Sequence, residues 1–169
     1  MTFSCYRRQP RFDHAAAYEL FLHCLEDMRF RFAIRMYGYV VMPEHVHILL
    51  SEPKHGSLAD AIHYLKLAFS KRHRRRPSGA FWQKRYHDRN VRDADEFSVK
   101  LRYLHRNPVK RGLVVEPYQW KWSSFRHYYY REMGIVEIES EWTVSDRERK
   151  ETGGPERIFL GPTPQNSKS

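Results

Sequence analysis

Tyr39-Val-Val-Met-Pro-Glu-His-Val-His-Ile-Leu-Leu50 is two apolar, β-branched runs separated by Pro43-Glu44. Such runs favour extended backbone, and the second stops at the turn-forming Ser51-Glu-Pro53. A tight turn at Pro43-Glu44 makes strand 34–42 and the histidine strand antiparallel neighbours. Side chains two apart on a strand share a face. His45 and His47 therefore project together, while Val46, Ile48 and Leu50 turn into a core. Two imidazoles on one rigid strand are half of a metal site. Surface histidines or hydrogen-bonded core histidines are the alternative, and the tripeptide alone does not separate the two.

Working outward, Thr2 to Tyr6 is a short strand followed by the loop Arg7–Arg11. Asp13 is a candidate N-cap for a helix to about Arg31, whose apolar stripe is Ala17, Phe21, Cys24, Leu25, Met28 and Phe32. Ser57 and Asp60 mark the start of a second helix, with Leu58, Ile62, Leu65 and Phe69 as its buried face. It ends in the basic run Lys71-Arg-His-Arg-Arg-Arg-Pro77, which is either a solvated helix end or a phosphate-binding surface. Ala80 to Val91 reads as one or two strands. A third helix opens at Asp93 and is expected to end near Arg106, because Asn107-Pro108 disfavours helical backbone. Beyond about Val144 the composition turns to mixed charge, then Gly, Pro, Ser and Thr. The expected organisation is one domain over 1–145 and a flexible tail over 146–169. The class is α/β (α+β), with a central antiparallel sheet of about four to five strands and packed helices.

The chain carries a net charge of +10 over 169 residues and is 15% aromatic. Basic and aromatic character together suit a polyanion with stackable groups, and nucleic acid fits better than a membrane. Cys5 and Cys24 have no metal-type spacing and make no disulfide framework. No membrane-length apolar run and no signal-peptide pattern are present, so a cytoplasmic, nucleoid-associated protein is expected. There is no Gly-rich phosphate loop, which argues against an ATP-driven enzyme.

On the third helix Phe97, Leu101 and Leu104 share the core-facing side. Glu96, Lys100, Tyr103 and Asn107 form an adjacent face at spacings of four, three and four. A phenol is a weak nucleophile near neutral pH, since its proton is ordinarily held to about pH 10. A divalent metal opposite it can polarise a phosphodiester and neutralise transition-state charge. Tyrosine attack then gives a covalent phosphotyrosine that stores the bond for rejoining. Asn107 offers an amide oxygen beside the two imidazoles, a donor set that suits Mg²⁺ or Mn²⁺. An interfacial tyrosine with a bonded hydroxyl is the other reading of Tyr103.

Four blocks in order resemble one family. Tyr39-Val-Val-Met-Pro-Glu-His-Val-His-Ile-Leu-Leu50 resembles the His-hydrophobic-His motif of HUH single-strand endonucleases, in the form found in single-tyrosine transposases of the REP-associated group. Phe81-Trp-Gln-Lys-Arg-Tyr-His-Asp88, Tyr103-Leu-His-Arg-Asn-Pro-Val-Lys-Arg-Gly112 and Trp120-Lys-Trp-Ser-Ser-Phe125 are similar to later blocks of the same family. The resemblance covers residues from about 2 to 130. It implies the HUH nuclease fold, with His45 and His47 holding Mg²⁺ or Mn²⁺, Asn107 as a further ligand and Tyr103 as nucleophile. It further implies cleavage and rejoining of single-stranded DNA beside a hairpin (REP-like, or an insertion-sequence end), through a 5′-phosphotyrosine and a free 3′-OH. The expected DNA-backbone contacts are Lys66, Lys71, Arg72, Arg74, Arg75 and Arg76, joined by Lys110 and Arg111 in the third block. A monomer or a homodimer fits, and no membrane is involved. The chain departs from the family in starting almost directly in its first strand and in a tail without a match. The alternative function is a regulatory protein that holds DNA hairpins without cutting them.

Five further features have a functional and a structural reading. Asp88 is a turn-stabilising group or a support to the metal. His105, two positions from Tyr103, is expected on the surface or on DNA. Trp82, Trp120 and Trp122 are core residues or stacking platforms, with core favoured for at least two. Tyr128 to Tyr130 rival Tyr103 but have no metal-type partner at helical spacing. Ser123-Ser124 has no base or oxyanion signature of serine catalysis.

Overall fold

Period-two alternation divides the central sheet of this chain into a dry face and a polar one. A computed structural model describes residues 1–73 and 79–153. The strands are β1 (Thr2–Cys5), β2 (Met36–Val41), β3 (His45–Leu50) and β4 (Trp82–His87), and the helices are α1 (Ala15–Arg31), α2 (Leu58–Arg72), α3 (Ala94–Lys110), α4 (Phe125–Tyr130) and α5 (Glu141–Thr152). The four strands run in the order β2-β3-β1-β4, each antiparallel to its neighbour. The turn at Pro43-Glu44 is closed by Met42 N–H donating to the His45 carbonyl at 2.8 Å, and Val41 faces Val46.

Phe3, Val46 and Ile48 point to the dry face, where Phe21, Leu25 and Met28 of α1 meet Ile62, Leu65 and Phe69 of α2. Phe3, Phe12, Phe21, Phe69, Phe81 and Trp82 form one web of ring contacts there. Aromatic residues carry the largest apolar areas, so this web buries a large share of the core's apolar surface. The α2 start is as expected, a capping box between Ser57 and Asp60. Asp13, by contrast, does not cap α1: its carboxylate accepts from His14 Nδ1 at 2.6 Å, and His14 is the residue at the N-cap position.

The opposite face carries Thr2, Ser4, Val40, His45, His47 and Leu49, and α3 lies over it. Leu104 packs there on Val40 and Met42. The approach is close because β2 has Gly38 at the crossing. A Cβ at that position would stand 2.6 Å from Leu101 Cδ1. Outside β2, Val41 N–H donates to the Trp122 carbonyl at 2.9 Å and Ser124 N–H to the Tyr39 carbonyl at 3.0 Å. The Trp120–Phe125 segment thus covers a strand edge that would otherwise offer unpaired backbone groups.

Two further sequence expectations change. Helix α3 does not stop before Asn107-Pro108 but continues to Lys110. Pro108 falls in its last turn, where it forfeits one helical bond. Arg111 N–H to the Asn107 carbonyl and Leu113 N–H to the Pro108 carbonyl, both 3.0 Å, close the end. The boundary at 145/146 falls inside α5, so the tail does not begin there. Thr143 is buried, and Arg147 bridges Glu137 at 3.3 Å and Glu139 at 2.9 Å. Mixed charge in that stretch reflects a salt-bridged helix face. Residues 154–169 lie outside the described residues.

Candidate active site

His45 and His47 leave the same face of β3, and their Nε2 atoms converge to 3.0 Å. The Asn107 amide, arriving from α3, stands 3.1 Å from His47 Nε2. Helix continuation through Pro108 is what holds Asn107 there, buried at 5% exposure. Tyr103 is one turn earlier on the same face, its ring 6.1 Å from the His47 ring and 49% exposed. All four side chains come from one chain.

The far nitrogens of the imidazoles are oriented from behind. Thr2, paired with His47 across β1 and β3, places Oγ1 2.6 Å from His47 Nδ1. Glu44 Oε1 is 3.2 Å from His45 Nδ1, but off the line of a hydrogen bond. Burial and then His45 push the His47 pKa down to about 3, and burial, against the pull of Glu44, lowers that of His45. Both rings are therefore neutral at pH 7, the state in which imidazole ligates a metal. In the tautomer whose Nδ1–H donates to Thr2 Oγ1, His47 Nε2 carries a lone pair. With His45 likewise protonated on Nδ1, towards Glu44, the two Nε2 lone pairs stand 3.0 Å apart and repel unless a cation lies between them. The pair therefore suits a cation. Among the described residues no third His, Cys, Asp or Glu joins it, so a third protein donor would be the Asn107 amide oxygen, presented by a half-turn of the amide.

The expected cations divide into three groups. Lys110 and Arg111 lie beside the site: Lys110 Nζ stands 4.6 Å over the Tyr103 ring, and Arg111 pairs with Glu44 at 2.5 Å. Lys66, Lys71 and Arg72 belong to α2, behind the sheet. Lys66 Nζ donates to the Gln83 carbonyl at 2.9 Å, and Arg72 pairs with Asp27 of α1 at 2.8 Å. Those two tie elements together. Lys71 is exposed, and Arg74, Arg75 and Arg76 lie outside the described residues.

His105 is not on the surface. It is 5% exposed, lies 2.8 Å from Ser124 Oγ through Nε2 and packs on Phe125 and Tyr128. Burial, with His127 nearby, pushes its pKa down to about 4. Ser124, bonded also to Tyr39 N–H, is thus structural. Trp82 and Trp122 are buried as expected, while the half-buried Trp120 donates Nε1–H to the Val41 carbonyl at 3.0 Å. Tyr128 gives its hydroxyl proton to the Tyr37 carbonyl at 2.6 Å. Asp88 is exposed at the end of β4.

Sequence reasoning missed Thr2 and Glu44. Thr2 reaches His47 only through pairing with a strand 45 residues away, which no local pattern signals. Glu44 had a signal: a carboxylate at a tight turn immediately before the first histidine.

Comparison with known proteins gives the chain a lineage. Residues 1–107 match the family model described as IS200-like transposase. A Haemophilus influenzae protein described as a REP-associated tyrosine transposase is 33% identical over 98 residues, covering 50% of this chain and 55% of the relative. The REP-associated tyrosine transposase of Escherichia coli K12 is 23% identical over 111 residues, 64% of each chain. The chain therefore spans roughly half to two thirds of the length of these relatives. A solved structure of a REP-associated tyrosine transposase bound to a REP hairpin shares the fold, with a TM-score of 0.65 at 20% identity over 82% of this chain and 83% of the other. Among the described residues no helix is long and apolar enough to cross a membrane. With the family model covering well over half of its length, the chain belongs to the IS200-like transposase family, and the relatives it most informatively resembles are REP-associated tyrosine transposases.

Proposed function

We propose that this chain cleaves and rejoins single-stranded DNA beside a hairpin, with Tyr103 as nucleophile. The observation that carries the reading is the convergence of His45 Nε2, His47 Nε2 and the Asn107 amide within about 3 Å, one helical turn from Tyr103. His45, His47 and Asn107 would hold Mg²⁺ or Mn²⁺, which when bound supplies Lewis-acid polarisation of the scissile phosphate. Thr2 and Glu44 fix the ring orientations from behind, as outer groups commonly do for ligating histidines.

Tyr103 Oη forms a bond to phosphorus as the bond from phosphorus to the 3′ oxygen breaks, and the phenolic proton passes to solvent. The products are a 5′-phosphotyrosine and a 3′ oxygen that takes up a proton. Rejoining is the reverse attack by a 3′-OH. Half exposure of Tyr103 suits a nucleophile that must meet a strand arriving from solvent. Lys110 over its ring brings positive charge to the attacking oxygen and the phosphate. The hairpin partner is inferred from the relative whose structure contains one.

A labelled hairpin with unpaired flanks, incubated with the protein and Mg²⁺, should give a covalent protein–DNA adduct that chelator and Tyr103→Phe both abolish. An undiminished adduct in Tyr103→Phe would overturn the assignment. Tight hairpin binding with no adduct from the folded wild type would instead identify a non-cleaving regulatory protein.

A further inference from the structure

Helix α3 has a second exposed flank, next to the Tyr103 face, that the proposed chemistry does not use. It borders a cavity of about 560 Å³ walled by Leu101, Val109, Val115, Phe125 and Tyr128. Arg102 and Arg106 stand on its rim. Both are exposed, and among the described residues neither has an ion pair or hydrogen bond. At i and i+4 they are neighbours on the helix surface, close enough to serve successive phosphates of one strand. Glu116 is the one carboxylate of the lining.

The cavity wall continues as a stack of rings. Phe125 lies on Tyr129 with centroids 5.4 Å apart at 22°, and Tyr129 on Tyr118 at 6.3 Å and 16°. Tyr130 meets Tyr129 edge-on at 4.7 Å. Tyr118 is 39% exposed, Tyr129 44% and Val115 77%. Flat rings beside unpaired guanidinium groups match a ligand that alternates planar bases with anionic links. An apolar protein segment would leave both arginines unused.

We infer that this surface binds unpaired nucleotides of the strand flanking the hairpin. The bases stack at the two ends of the ring stack, on Tyr118 and at the cavity mouth at Phe125, with Tyr129 bracing both rings, and the phosphates sit on Arg102 and Arg106. The inference rests on the DNA-processing reading and extends it: the hairpin flank is gripped on the flank of α3 next to the one that carries the nucleophile.

Binding of the full chain to three fluorescent probes tests it: a bare hairpin, the same hairpin with an unpaired oligothymidine flank, and free oligothymidine. Arg102→Ala/Arg106→Ala and Tyr129→Ala should each weaken the flanked hairpin roughly 5- to 100-fold. Both should leave the bare hairpin within about twofold. The double arginine variant should lower the slope of log affinity against log salt by about 1.4, two single-strand phosphates. Tyr129→Phe keeps the ring and should bind as wild type, which separates stacking from loss of fold. Unchanged affinity for the flanked hairpin in both variants overturns the inference, as does an equal loss on the bare hairpin. Adduct formation without any effect of these substitutions sinks this surface alone. A selective effect on the flank without any adduct sinks the cleavage reading alone, and no binding to any probe sinks both.

Discussion

Val46 and His47 are adjacent on β3 and meet opposite environments. Val46 is fully buried beneath α1 and α2. His47 faces α3 and contacts Thr2, His45 and Asn107. The dry face of the sheet is closed by interlocking rings, whereas the other is covered by a single helix that leaves polar groups facing one another. Rigidity comes from one side and reactivity from the other, and the strand joins them with no loop between. Such an arrangement fixes ligand positions through the backbone, which is more exact than a loop allows.

This comparison can be broken from either side. Phe69→Ala, on the dry face, should cost about 3–5 kcal/mol of stability in denaturant unfolding. The adduct yield of its folded fraction should hardly change. His47→Ala should do the reverse, lowering adduct formation roughly 10²- to 10³-fold while the unfolding midpoint moves little. If each variant lost stability and activity in parallel, the two faces would not be separable as described. Thr2→Val is a finer probe, since it removes only the group behind His47. Calorimetric titration with Mn²⁺ should show affinity weakened by about 10- to 100-fold, and an unchanged affinity would remove Thr2 from the site.

The smallest expected effect concerns a region remote from both faces. His127 stacks on Trp142 of α5 at 4.5 Å, and its Nε2 lies 2.8 Å from Ser140 Oγ. Burial pushes its pKa down to about 4, below the ordinary imidazole value of 6.5. Between these values the unfolded chain binds a proton that the folded chain refuses. Stability therefore falls as pH drops through about 6.5, and the loss is complete near 4. His127→Phe keeps a ring on Trp142 and should make the pH dependence of the melting temperature shallower across that window, leaving the share carried by His45, His47 and His105. An identical slope would show that His127 titrates normally.

The parts of this fold that were legible in the sequence are those specified locally. The hairpin at Pro43-Glu44, the capping box at Ser57 and the apolar stripes of α1 and α2 each follow from residues within a few positions. Tyr103 and Asn107 were legible as one helical face, yet the pattern placed Asn107 at a helix end. The tertiary packing of Leu104 and Asn107 carries α3 through the proline. His105 was assigned by its angle from Tyr103, but that angle points to the pocket formed by Phe125 and Tyr128 of α4, which the helix pattern alone does not contain. Thr2 depends on strand register and the role of Lys66 on contacts across the core. Both are non-local.

The most direct measurement is the identity of the DNA-linked residue. The protein is incubated with a flanked hairpin and Mg²⁺, the adduct is trapped and digested, and the nucleotide-bearing peptide is sequenced by mass spectrometry. The account requires a 5′-phosphodiester link on Tyr103. Attachment at Tyr129, Tyr130 or another tyrosine, or no linked peptide from folded protein that binds the hairpin, would contradict it.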